Sequence, residues 1–174
     1  ILQDRLGLST ECASFDINLG CSGYVYGLWV ASNLIVGSSL KRVLLLVGDT
    51  SSKLISIKDR STAPLFGDAG SATALEYSTE AKDSFYVLGT DGKGKDNLII
   101  PAGGNRKPSS HETLKEFKRD NGSIRSEEDL FMDGGEIFNF TLSRVTNLIK
   151  DTLEFGQMKI DDIDLFLFHQ ANKF

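Results

Sequence analysis

Cys21 and His169 are the side chains of this sequence best placed to do covalent chemistry, and each follows an apolar run. Cys21 stands in FDINLGCSGYVYG (15–27), after Ala13, Phe15 and Ile17 and between Gly20 and Ser22-Gly23. His169 follows LFLF (165–168) directly. A thiol on a strand-to-helix turn lies where first-turn N–H groups and the helix dipole favour a thiolate. A backbone amide beside it can donate to an oxyanion, so the chemistry this placement favours is nucleophilic attack on a carbonyl. A lone cysteine also packs as a small hydrophobe, and spacing alone leaves both readings open.

The elements that must position these groups are legible as changes of period. After Gly23 a helical pattern puts Val25, Leu28, Trp29, Ser32 and Ile35 on one face, with Gly37 as its stop and Trp29 read as core. Val43–Val47 (VLLLV) has no alternation and suits a strand covered on both faces, left by a polar turn at Gly48–Ser52. Residues 51–57 read as a short helix or loop. The glycine-rich turn Phe66–Ala72 either cradles a phosphate or lets two backbones pass closely, the second being favoured; ATALEY (72–77) and SFYVLG (84–89) are strand candidates. A modest helix is expected near Ser109, with Glu112 completing a capping box. A clear amphipathic helix runs from Gly135 to Phe155, with Phe138, Leu142, Val145, Ile149 and Leu153 along one stripe and Gly156 ending it. Strands and helices alternate, so the class is α/β. Twice a strand delivers a reactive side chain at its C-terminal end, the edge where open α/β sheets build their sites.

Composition excludes several classes. With 174 residues, 40% hydrophobic and 25% charged, the chain is an ordinary globular one. A net charge of −5 argues against nucleic acid or an anionic membrane as a partner. No apolar run approaches the ~20 residues of a membrane span, and ILQDRLGLSTECASFD has no signal-peptide pattern. The two cysteines, Cys12 and Cys21, suggest a reducing, cytoplasmic compartment rather than a disulfide framework. His111 and His169 lie far apart, and neither a metal-ligand cluster nor a Gly-Lys-Ser/Thr phosphate loop occurs. The chain opens in mid-pattern without methionine and reads as a piece of a longer protein.

With these motifs in view, GCSGYVYGL, DRSTAPLFGDAGSA, PAGG, MDGGEIFNF and DDIDLFLFHQAN, in that order, resemble β-ketoacyl-[acyl-carrier-protein] synthase III over nearly the whole chain. The resemblance implies a thiolase-like αβαβα layered sandwich of two similar halves. Residues 1–90 would be the remainder of the N-terminal half, carrying the nucleophile. Residues 91–174 would start the C-terminal half, carrying the histidine, with a polar cap excursion at about 93–130. It further implies a homodimer that takes an acyl-CoA primer and malonyl-acyl carrier protein as substrates, with no further cofactor. Cys21 would become acylated, loss of CO₂ would generate the carbanion that attacks the acyl group, and His169 would stabilise the enolate. An asparagine further along the family's chain would assist.

Arg60 matches a family arginine that stacks near the CoA adenine, and Phe66 an aromatic beside the nucleophile. Asn172, with Ala171 beside it, matches a contact to the pantetheine arm. Departures are Gly135 where the family has asparagine, Phe174 where a basic residue is usual, Pro64 before LFGD, and a longer excursion over 103–129. These leave donor recognition open and admit a specialised acyl pathway. Two alternatives share the motifs: a non-catalytic acyl-binding or scaffold homologue, and an acyltransferase to an oxygen or nitrogen acceptor. Cys12 reads as structural, His111 as a solvated surface residue, and Lys115, Lys118 and Arg119 as a solvated helix face or a contact for the acidic carrier protein.

Overall fold

The computed structural model describes residues 1–170. It comprises two compact units, Ile1–Val47 with Ala72–Ser78, and Gly48–Ser71 with residues from Thr79 onward. Helices are α1 (Leu2–Arg5), α2 (Gly23–Gly37) and α3 (Gly134–Phe155), and strands are β1 (Arg42–Thr50), β2 (Asp68–Glu76), β3 (Leu98–Ile99), β4 (Phe117–Lys118), β5 (Ile124–Arg125) and β6 (Phe131–Met132). The strands form two-stranded sheets β1–β2, β3–β6 and β4–β5.

In the first unit, α2 forms where the helical pattern begins and ends at Gly37, but of the expected face only Ile35 is buried. Gly27, Ala31 and Ile35 are buried, whereas Trp29 is 40% exposed. The helix is apolar nearly all round, so periodicity does not select a face and the small residues do. Gly27 admits the Leu45 side chain of β1, whose Cδ1 would lie 2.7 Å from any Cβ there. Along β1 Val43, Leu45 and Val47 are half-buried while Leu44 and Leu46 are 47% and 40% exposed, so the VLLLV run is covered on one face rather than two.

The expected polar turn at Gly48 is instead the end of β1, which continues to Thr50. The expected glycine-rich turn after Phe66 is likewise strand, from Asp68. Gly48 faces the Ala69 carbonyl at 3.3 Å and the Gly70 Cα at 3.4 Å from an ideal Cβ position, a close approach of two backbones that glycines permit. At the other end, Tyr77 N–H donates to Lys41 O at 2.8 Å, so the pair is antiparallel. Past β1, a 3₁₀ turn at Ser51–Lys53 is tied to the start of β2 by Asp68, which accepts from Ser52 N–H at 2.8 Å and Ser52 Oγ at 2.7 Å.

In the second unit the 93–130 excursion carries no α-helix, only the end of a 3₁₀ turn at Gly92–Gly94. At Ser110–Thr113 the two residues bond reciprocally, Ser110 N–H to Thr113 Oγ1 at 2.8 Å and Thr113 N–H to Ser110 Oγ at 3.2 Å, closing one turn that does not propagate. The expected capping box at Ser109 and Glu112 is therefore absent; Glu112 pairs with Lys115 instead. The excursion folds back as the β4–β5 and β3–β6 pairs, with Phe117 opposite Arg125 and Leu98 opposite Met132.

The long helix forms as expected, capped at its start by Asp133, whose side chain accepts from Glu136 N–H at 3.0 Å. None of its residues is buried, and Phe138, Leu142 and Val145 of the apolar stripe are 42%, 62% and 38% exposed. It ends at Gly156 as expected, but Gly156 is right-handed (φ −78°) and it is Gln157 that takes the left-handed conformation (φ 53°).

The strand candidates at 13–17, 84–89 and 165–168 are not strands. A strand is assigned where a neighbouring backbone pairs with it in a ladder, and none of these segments joins one of the three sheets. Their apolar side chains are correspondingly open, Phe15 at 64% and Leu167 at 85% exposure. The expectation that strands present Cys21 and His169 is thus not met by these segments.

Candidate active site

Cys21 occupies a tight turn in which Gly23 N–H donates to Gly20 O at 2.8 Å, leaving the thiol free and exposed. Helix α2 begins two residues later with Ser22 as its N-cap, and no side chain caps it. First-turn N–H groups without a side-chain partner are what a developing oxyanion requires. The helix is held behind the turn by the Gly27–Leu45 contact and by Tyr24 Oη, 3.3 Å from Thr73 Oγ1.

Arg60, Phe66 and His169 belong to the second unit. Arg60 and Phe66 stand on one run of turns in which Ala63 N–H donates to Asp59 O at 3.0 Å and Phe66 N–H to Thr62 O at 3.2 Å. Phe66 is half-buried and Arg60 exposed. His169 is exposed at the end of the extended 165–168 segment, in which the Phe166 and Phe168 rings stack with centroids 6.0 Å apart. Ala171 and Asn172 lie outside the described residues.

Of the remaining candidates, Cys12 is exposed rather than packed, with Sγ 3.7 Å from Ala13 O. His111 is exposed within the Ser110–Thr113 turn region. Lys118 lies on β4 rather than a helix, and Arg119 follows it with its guanidinium carbon 5.9 Å from the Phe117 ring. Among the described residues no group of three or more His, Cys, Asp or Glu side chains could hold a metal ion. No helix of the described residues is long and apolar enough to cross a membrane.

What the sequence did not reveal is the polar core on which Arg60 rests. Asp59, Thr62 and Ser123 are fully buried. Asp59 accepts from Ser61 N–H at 2.9 Å and from Arg125 Nη1 at 3.1 Å, and the Ser123 hydroxyl also bonds to it. Burial pushes the Asp59 carboxyl up, but these donors and the Arg125 charge together hold it below the usual value of 3.8. The guanidinium carbon of Arg125 also lies 4.7 Å from the Phe131 ring centroid. The adjoining excursion matches this segment almost residue by residue. Ser56 Oγ donates to Ile124 O at 2.7 Å, Ile124 N–H to Lys58 O at 3.1 Å, and Asn121 Nδ2 to Ser61 Oγ at 3.3 Å. The DRST motif displays Asp59 beside Arg60, but its partners stand 63 to 66 residues on, beyond any local pattern.

The chain is similar to known proteins over nearly all of its length. Residues 15–92 match the family described as 3-oxoacyl-[acyl-carrier-protein (ACP)] synthase III. A Campylobacter jejuni protein provisionally named 3-oxoacyl-[acyl-carrier-protein] synthase 3 is 42% identical over 173 residues, which are 99% of this chain and 48% of its own length. A solved structure of a 3-oxoacyl-(acyl-carrier-protein) synthase III superposes with a TM-score of 0.95 at 41% identity, over 99% of this chain and 52% of that one. A 3-oxoacyl-(acyl-carrier protein) synthase from Burkholderia xenovorans LB400 superposes with a TM-score of 0.83 at 51% identity, over 98% of this chain and 47% of that one. The chain spans about half the length of the curated relatives it matches. Over nearly all of its length the chain is similar to the 3-oxoacyl-[acyl-carrier-protein] synthase III family, and its fold class is the α/β thiolase-like one.

Proposed function

We propose that the full-length protein bearing these residues is a decarboxylating condensing enzyme that joins an acyl-CoA primer to malonyl-acyl carrier protein and releases 3-oxoacyl-acyl carrier protein. The observation that carries this reading is the free, exposed Cys21 in a turn at the uncapped N-terminus of α2, inside the stretch matched to the family. In the first half-reaction the Cys21 thiolate attacks the thioester carbonyl. A new carbon–sulfur bond forms, the old one breaks, and CoA leaves as its thiolate. Negative charge on the carbonyl oxygen in the tetrahedral intermediate is met by backbone N–H groups at the turn.

In the second half-reaction, loss of CO₂ from the malonyl thioester leaves an enolate, whose oxygen His169 Nε2 stabilises by hydrogen bonding. The enolate carbon attacks the acyl-cysteine and Cys21 departs as thiolate. Phe66 shapes the acyl pocket, Arg60 meets the CoA adenine, and Ala171 and Asn172 lie along the pantetheine arm. Residues 1–90 serve the nucleophile's half and residues 91–174 open the histidine's half; the family match ending at residue 92 supports that division. The reading places the protein in the cytoplasm as a homodimer in fatty-acid initiation or a related specialised pathway, with no cofactor beyond its substrates.

Intact-protein mass spectrometry of the full-length protein, incubated with acyl-CoAs of several chain lengths, tests the first half-reaction. An acyl adduct absent from Cys21→Ser, together with CO₂ release from malonyl-carrier protein, is the expected result. No adduct with any donor would remove the reading. An adduct without CO₂ release would leave an acyltransferase to another acceptor.

A further inference from the structure

Arg60 is held through its backbone N–H, and its guanidinium lies against a turn of the excursion. Arg60 N–H donates to Ser123 Oγ at 3.2 Å, and the Ser123 hydroxyl in turn bonds to the buried Asp59 carboxylate. Asp59 is anchored by Arg125 on one side and Ser61 N–H on the other. The guanidinium lies along Gly122, with Nη1 and Cζ 3.5 and 3.6 Å from an ideal Cβ position there. Gly122 has φ +82° and closes a turn by donating to Arg119 O at 2.9 Å. No ion pair joins the Arg60 guanidinium to a carboxylate among the described residues. A planar cation backed on one side by a glycine turn and exposed on the other is arranged to stack on a flat ring.

We infer that Ser123, seated on the Asp59–Arg125 pair, is the positioning residue for Arg60, and that the 103–129 excursion thereby sets preference for acyl donors carrying a nucleotide over donors ending at pantetheine. The inference rests on the reading of Arg60 as the adenine contact. Ser123 touches no substrate and acts through the Arg60 backbone. Asn121 supports the same turn, accepting from Ser123 N–H at 3.0 Å and donating to Ser61 Oγ.

The test compares KM and kcat of the full-length protein for acyl-CoA and for the same acyl group on pantetheine, the acyl group being the best donor in the mass-spectrometric screen. Ser123→Ala should raise KM for acyl-CoA on the order of fivefold, the effect of one lost hydrogen bond. Its kcat and its KM for acyl-pantetheine should stay unchanged. Arg60→Ala should give the same split, larger. Asn121→Ala, an exposed position that threatens folding less, should shift the acyl-CoA KM in the same direction. A Ser123→Ala protein whose KM rises equally for both donors, or for neither, overturns the inference while leaving the proposed function standing. A wild-type protein that accepts no acyl-CoA overturns both, and an Arg60→Ala protein without the split overturns the inference through its premise.

Discussion

Arg125 Nη1 lies 3.1 Å from Asp59 Oδ2, and the two side chains are 11% and 0% exposed. Water is excluded from the carboxylate, so its charge is tolerable only because Arg125, Ser61 and Ser123 surround it. This pair joins the excursion to the segment carrying Arg60 and is the one ion pair in the described chain with both members shielded. The others are at the surface, such as Arg42–Glu76 at 82% and 72% exposure, where an ion pair contributes little.

Arg125→Met should therefore destabilise the full-length protein by about 3 kcal/mol, because it strands a buried carboxylate rather than merely deleting an attraction. The double change Asp59→Asn with Arg125→Met should recover part of that loss. Denaturant midpoints of the four proteins give the cycle. Equal midpoints for wild type and Arg125→Met would show the pair to be solvated.

Acid should weaken the fold by a known sign. Asp59 and Asp68 are held below 3.8, Asp68 chiefly by the hydroxyl and then the N–H of Ser52. Asp91 is lowered by the Lys93 N–H and then Arg144, and Glu128 falls below 4.5 through the hydroxyls of Thr113 and then Ser109. Each carboxyl binds its proton less readily when folded than unfolded. Their stabilisation is complete above pH 4.5 and is lost as pH falls through the folded values. Thermal midpoints should be flat above that pH and decline below it. In Arg125→Met the decline should be shallower, since burial then acts on Asp59 with one less opposing charge.

The sequence displayed what local periodicity and chemistry encode. The 3.6-residue stripe and Gly156 locate α3 to within a residue, and the glycines around Cys21 mark the turn before α2. What it did not display depends on distant partners. Leu45 packs at the buried Gly27, and no periodicity singles out the Gly27 and Ala31 side of a helix apolar all round. The strands expected at 13–17 and 165–168 need a pairing backbone, which apolar runs alone do not supply. The Arg60 support was missed because serine, asparagine and arginine in a polar excursion read locally as solvated loop.

Gly27 gives a packing prediction for the helix behind Cys21. A Cβ there would lie 2.7 Å from Leu45 Cδ1 and 3.1 Å from Cδ2. Gly27→Ala should be close to neutral, because a gain in helix propensity of about 1 kcal/mol opposes the displacement of Leu45. Gly27→Val should cost about 1–3 kcal/mol by overpacking, and Leu45→Val in the same protein should return part of it. Thermal unfolding of the single and double variants decides this. Lack of any rescue would place the strain outside the α2–β1 contact.

The end of α3 separates two reasons for a glycine that a sequence cannot tell apart. Gly156 N–H donates to Thr152 O at 3.0 Å, Gln157 N–H to Glu154 O at 3.0 Å, and Met158 N–H to Leu153 O at 2.9 Å. The last two bonds form a Schellman closure in which the left-handed position, usually glycine, is Gln157 at φ 53°. Gly156 is instead required for space: a Cβ would come within 2.8 Å of Met158 Cε and 3.0 Å of Phe85 Cδ2, at the edge-to-face contact of Phe85 with Phe155. Gln157→Gly should therefore stabilise the protein by about 1 kcal/mol, relieving a left-handed side-chain residue. Gly156→Ala should destabilise it by about 1–3 kcal/mol, and Phe85→Leu should partly offset that loss, because the conflict is with the Met158 and Phe85 side chains and not with the backbone. If Gly156 were the residue needing backbone freedom, Gly156→Ala would stay equally destabilising beside Phe85→Leu and Gln157→Gly would gain nothing; midpoints of thermal unfolding for the four proteins distinguish the two.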